Sequence, residues 1–157
     1  MSEEYLQTIS LIERTHRQFL EIVKLELDGL HIRDINNVQA LMLFNIGDAE
    51  MTVGELTSRG CYLGSNVSYN VKKLVENGYI AQERSEHDRR AVHIKLTNKG
   101  RTLCDRLSVM HSRHIEMLKQ TQVTQADLEA AIITLRRLER FWMNTGDLTV
   151  GAPQFAA

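Results

Sequence analysis

The stretch Thr52–Gly100 decides the fold: TVGELTSRGCYLGSNVSYNVKKLVENGYIAQERSEHDRRAVHIKLTNKG. From Ser65 onward its apolar residues fall at Val67, Val71, Leu74 and Val75, one face of a helix with its ~3.6-residue period. The other face carries Asn66, Ser68, Tyr69, Asn70, Lys72 and Lys73, with Glu76 as its one acid. Asn77-Gly78 predicts the helix end, because glycine takes the left-handed conformation without steric cost. Gly64-Ser65-Asn66 supplies candidates for the N-cap. Upstream, Val53, Leu56 and Cys61 give a shorter apolar pattern, and Thr52 with Glu55 forms a capping box. Two short helices joined near Arg59-Gly60 predict a helix-turn-helix, whose second helix suits a DNA major groove.

Downstream, Tyr79–Arg84 and Ala91–Leu96 read as short strands. In the second, Val92, Ile94 and Leu96 alternate with His93 and Lys95, the pattern of a half-buried strand. The polar run Ser85-Glu86-His87-Asp88-Arg89-Arg90 between them predicts a hairpin tip, or wing. Asp88 can pair with Arg90 and hold one guanidinium outward, and an outward arginine suits the narrow, electronegative minor groove.

The run Leu63–Gly100 resembles the winged helix of the MarR family of bacterial transcription regulators. Four pieces carry the likeness in order and spacing: Asn66-Val67-Ser68, Leu74-Val75-Glu76-Asn77-Gly78-Tyr79-Ile80, Asp88-Arg89-Arg90 and Leu96-Thr97-Asn98-Lys99-Gly100. The motifs cover residues 52–100, and the layout covers roughly residues 5–145. The resemblance implies that Asp88 orients an arginine into the minor groove, Arg90 with Arg89 beside it. It also implies repression of a promoter, relieved when a small aromatic or phenolic anion binds between the dimer-forming helices and the winged helix. His16, Phe19, Met42, Phe44 and Met110 are the candidate effector-binding residues, with ordinary core as the plain alternative for each. Ser65, Asn66, Ser68, Tyr69, Asn70, Lys72, Lys73, Asp88, Arg89 and Arg90 form the expected DNA-binding set. Asn66 and Ser68 suit base edges, and the lysines suit phosphates.

The net charge of −1 hides an asymmetry. Residues 58–95 carry seven basic and four acidic side chains, whereas residues 1–57 carry four and ten. A phosphate-facing surface needs a local excess, not a global one. The modest local excess predicts that two copies act together. The sequence has one proline, no apolar run long enough to span a membrane, and an acidic start without a signal-peptide pattern. Cys61 and Cys104 make no disulfide framework, so a reducing, cytoplasmic setting is expected.

The expected fold class is mainly α (α+β), a winged helix-turn-helix flanked by N- and C-terminal dimerisation helices. One domain spans 1–157. Its dimerisation helices lie at 1–30 and 101–145, its DNA-binding module at 31–100, and a loose tail at 146–157, within the aperiodic stretch from Asn144. The first helix has apolar residues on more than one side, including Leu6, Leu11, Ile22 and Leu25, which predicts contact beyond its own domain, with burial in its own core as the plain alternative. A second helix is expected over Asn36–Asp48, capped by Asp34 or Asn36, and Glu50-Met51-Thr52 is expected to add a third strand. Thr97 should cap a long helix, and Thr124 with Asp127 a last one striped by Leu128, Ala131, Ile132, Leu135, Leu138 and Trp142. A homodimer then implies a pseudo-palindromic operator in double-stranded DNA, with half-sites about 10 bp apart.

Other readings have less support. His111 and His114 have the spacing of zinc ligands on one helical face, but no second cluster adjoins them, so no metal or cofactor is expected. Cys61 or Cys104 could make a thiol-responsive regulator. The winged helix could instead bind a partner protein. Among enzyme motifs, no Gly-rich phosphate loop, G-x-S-x-G or H-E-x-x-H is present, so catalysis is not expected.

Overall fold

Side-chain caps open four of the helices among the described residues. A computed structural model describes residues 1–60, 64–84 and 92–150, with backbone alone at 64–65 and 146–150. The elements are α1 (Ser2–Gly29), α2 (Asn37–Ile46), β1 (Met51–Thr52), α3 (Val53–Gly60), α4 (Gly64–Glu76), β2 (Ile80–Arg84), β3 (Val92–Leu96), α5 (Asn98–Leu118) and α6 (Gln125–Val150). They fall into two compact units, residues 1–111 and 112–157.

In the first unit, Asn36 caps α2 rather than Asp34. Its side chain accepts from the Gln39 amide at 2.8 Å, and the Gln39 side chain accepts from the Asn36 amide at 3.0 Å. The expected capping box of α3 is present, with Thr52 N donating to Glu55 at 2.7 Å and Glu55 N donating to Thr52 at 3.1 Å. Gly78 stands at φ 77°, the left-handed turn that ends α4. The helix itself begins at Gly64, so Gly64, Ser65 and Asn66 are first-turn residues rather than its cap.

The sheet is antiparallel in the order β1-β3-β2. β1 is the expected third strand: Met51 pairs with Ile94, and Thr52 with His93. The hairpin register runs from Ile80↔Leu96 to Arg84↔Val92. A single core joins these parts, with Val23 and Leu27 from α1, Met42, Leu43 and Ile46 from α2, Leu56 from α3, and Val67, Val71 and Leu74 from α4 all buried. The start of α5 lies so close to the end of α4 that a Cβ at Gly100 would stand 2.3 Å from the Tyr79 carbonyl oxygen. Only glycine fits there.

A polar latch holds the same corner. Tyr79 Oη donates to Asp34 Oδ1 at 2.8 Å, Lys99 Nζ donates to Asp34 Oδ2 at 2.7 Å, and Asn77 Nδ2 donates to the Asp34 carbonyl. Lys99 also lies over the Tyr79 ring, 4.1 Å from its centroid. Burial alone would raise the Asp34 carboxyl, but the bonds from Lys99 and Tyr79 and the Lys99 charge hold it below its ordinary value. Burial, and then the Asp34 carboxylate, push the Tyr79 phenol upward. Asp34, the alternative cap, therefore secures the exit of α4 instead.

In the second unit, Thr124 and Asp127 form the expected box, with Thr124 N donating to Asp127 at 2.9 Å and Asp127 N donating to Thr124 at 3.2 Å. Helix α6 runs to Val150, past the point where the sequence pattern predicts a loose tail. Asn144-Thr145 interrupts the apolar stripe but not the backbone, and the Thr145 hydroxyl donates to the Phe141 carbonyl at 2.8 Å. The rest of the tail, residues 151–157, lies outside the described residues.

Candidate nucleic-acid interface

Helix α4 has one committed face and one free face. Val67, Val71 and Leu74 are buried, while Asn66, Ser68, Tyr69 and Lys72 are exposed on the other side. Tyr69, at 60% exposed, is a large aromatic left in solvent by a helix whose opposite side is locked down. Ser65 lies in the first turn. The exposed set offers hydroxyl and amide groups for base edges, an aromatic ring, and a cation for phosphate.

Two members of the expected set are partly committed elsewhere. Lys73 donates to Glu76 at 2.9 Å, and this bond and the Glu76 charge hold its ammonium above the ordinary value. Lys72 stands 4.0 Å from the same carboxylate and is the more exposed of the two, so it is the freer phosphate contact. Asn70 is engaged within the protein at both ends of its amide. Its Oδ1 accepts from Gln39 Nε2 at 3.1 Å and its Nδ2 donates to the Asn66 carbonyl at 2.9 Å.

The hairpin β2–β3 follows directly, with Glu83 bridging to Lys95 across the strands. Its last described pair is Arg84↔Val92. The expected wing contacts Asp88, Arg89 and Arg90 lie outside the described residues, as does Cys61.

Known proteins match this geometry. Residues 35–100 fit the family described as a winged helix DNA-binding domain. The exopolysaccharide II synthesis transcriptional activator ExpG of Rhizobium meliloti (strain 1021) is 39% identical over 140 residues, which cover 89% of this chain and 72% of that protein. FabT of Streptococcus pneumoniae, solved in complex with DNA, shares the fold at a TM-score of 0.72 and 24% identity, covering 90% of this chain and 99% of that one. MarR of Staphylococcus aureus, solved with salicylate and kanamycin, shares it at a TM-score of 0.71 and 21% identity, covering 91% and 93%.

The chain belongs to the MarR family of winged-helix DNA-binding transcription regulators.

In this MarR-family chain a cavity of about 560 Å³ opens between α1 and α2, within the size range of small-molecule sites. His16, Phe19 and Leu20 of α1, Val38, Leu41, Phe44 and Asn45 of α2, Gly60 of α3, and His111 of α5 line it. Three of the five expected effector residues are therefore here: His16, Phe19 and Phe44. Met42 and Met110 are not, being wholly buried in the core. On α2 the cavity takes Val38, Leu41, Phe44 and Asn45, and Met42 and Leu43 lie on the face turned inward. His111, which has the spacing of a metal ligand but is not expected to hold a metal, packs against Phe19 and Phe44 at ring-centroid distances of 5.9 and 5.0 Å. Among the described residues no three His, Cys, Asp or Glu side chains gather as a metal site. The Cys104 thiol is pushed up to about 11 by burial and then by Asp105 and Asp48, which works against thiolate chemistry. No helix among the described residues is long and apolar enough to cross a membrane.

Proposed function

We propose that the protein acts as a homodimer that reads a pseudo-palindromic operator in bacterial cytoplasm. Asn66, Ser68 and Tyr69 meet base edges, with Ser65 in the same first turn. Lys72 and Lys73 meet phosphates, and an arginine of the Asp88-Arg89-Arg90 wing enters the minor groove. The observation that carries this reading is the free polar face of α4 opposite a locked apolar face. Pairing is supported by apolar surface left in solvent on α1, where Leu6 and Leu25 are 66% and 68% exposed, and on α6, where Phe141 and Met143 are 56% and 61% exposed. A dimer also doubles the modest basic excess of each module.

The cavity is the proposed effector site, and its aromatic walls suit a small aromatic ligand. Asn37, next in sequence to the cavity-lining Val38, donates to the Leu20 carbonyl at 2.9 Å, so a ligand that spreads α1 from α2 strains a tie at the base of the reading module. A tenfold fall in operator affinity requires the ligand to prefer the non-binding form by about 1.4 kcal/mol. The resemblance implies repression, but the 39%-identical relative bears an activator's name, and activation is the sign we adopt.

Selection of bound duplexes from a random pool tests the whole reading. The recovered site should be palindromic with half-sites about 10 bp apart. Failure to retain any duplex at low salt would end it. A gel shift with salicylate then tests the cavity, and a promoter fusion in a deletion strain tests the sign.

A further inference from the structure

Gln39 is the buried polar side chain among the described residues, 6% exposed within an otherwise apolar core. Its amide is used in a fixed direction. The oxygen accepts from Asn36 N, so the nitrogen must supply the donor, and it donates to Asn70 Oδ1 on α4. That in turn orients the Asn70 amide, whose nitrogen donates to the carbonyl of Asn66 on the reading face. A relay therefore runs from the cap of α2, across the core, to the first turn of α4.

An amide buried at a core position carries a desolvation cost that its hydrogen bonds offset, and here one of those bonds lies within the cap of α2 while the other reaches a different helix. Val67, Val71 and Leu74 hold α4 against the core, but apolar contacts are weakly directional. Hydrogen bonds are directional, so a bond from the core to Asn70 can restrain how α4 is turned about its own axis. Phosphate contacts tolerate a small turn of the helix, whereas base edges do not. We propose that the Asn36–Gln39–Asn70 relay sets the rotation of α4 for base reading, so that Gln39 and Asn70 determine specificity without touching a base. The proposal rests on the DNA-reading role of α4. If the wild-type chain shows no preferred duplex, that role fails first and visibly, before any variant is made.

The test compares full-length wild type, Gln39→Met, Asn70→Ala and the double variant on the selected operator and on a scrambled duplex at one salt concentration. Each single variant should lower the ratio of operator to scrambled affinity about tenfold, with scrambled binding unchanged. The double variant should lose no more than the worse single, because a relay breaks once. Asn70→Ala is a partly exposed helical substitution that keeps the fold if Gln39→Met does not. Repeating the duplex selection with it separates positioning from contact. Relaxed preference at several base pairs supports the relay, and relaxation at a single base pair makes Asn70 a direct contact and overturns it. An unchanged affinity ratio, an equal loss on both duplexes, or losses that multiply in the double variant would also overturn it.

Discussion

Helices α4 and α2 lie in one core but divide their surfaces differently. Helix α4 is half apolar and half polar, and the two halves go to core and solvent respectively. Helix α2 is apolar nearly all round: one side, Met42, Leu43 and Ile46, fills the core, and the other, Val38, Leu41 and Phe44, lines a cavity. Polarity thus marks the surface that meets an aqueous, charged partner. A cavity that suits a small apolar partner carries no such mark, because its side chains are the kind that also build cores.

The largest effects should come from the inward faces of both helices. Leu74→Ala on α4 and Met42→Ala on α2 should each cost about 2–5 kcal/mol in urea unfolding, since both side chains are wholly buried and leave a cavity behind. Phe44→Ala, at 37% exposed, should cost less than either and also weaken ligand binding in the cavity. If Phe44→Ala proves as costly as Met42→Ala, the outer side of α2 is core and the contrast with α4 collapses.

Next in size are the outward residues of the reading module. Ser68→Ala and Asn66→Ala should leave the unfolding midpoint nearly unchanged. Each should weaken operator binding by about 1–3 kcal/mol through the base-edge hydrogen bonds it can no longer make. Arg90→Ala should weaken operator binding as well, through the minor groove. A smaller effect is expected from Lys72→Ala, which should lower the slope of log K against log salt by about one unit. An unchanged slope would remove Lys72 from the phosphate contacts.

The same contrast explains what can be read from the sequence. The caps of α3 and α6 and the turn at Gly78 are local, each written within a few residues, and they are legible. So is the division of α4, because its apolar period is clean. The lining of the cavity is only half legible: periodicity gives no preferred face to a helix that is apolar nearly all round, so Met42 and Phe44 look alike. His111 has a metal ligand's spacing to His114, but its ring contacts with Phe19 and Phe44 are not legible, because those residues are distant in sequence. The Gln39–Asn70 bond spans 31 positions and leaves no periodic trace, so sequence alone assigns Asn70 to the reading face with its neighbours. Asp34 is a plausible cap by residue type, and only the fold shows that Tyr79 and Lys99 claim its carboxylate.

Asp34 also joins α2 to α4, since it precedes the first and holds the exit of the second, and it carries the smallest expected effect. Its carboxyl is held below the ordinary value in the folded chain. The stabilisation is therefore present above the unfolded value, about 4, and is lost as pH falls through the lower folded value. The Asp34 and Lys99 side chains are 41% and 49% exposed, so water screens much of the attraction, and the charge contribution should be about 1 kcal/mol or less. Wild type should melt slightly above Asp34→Asn at pH 7, and the gap should close as the pH is lowered from about 4 towards 2. A gap that persists unchanged at the acid end would mean that the latch works through hydrogen bonds an asparagine cannot make, and not through the carboxylate's charge.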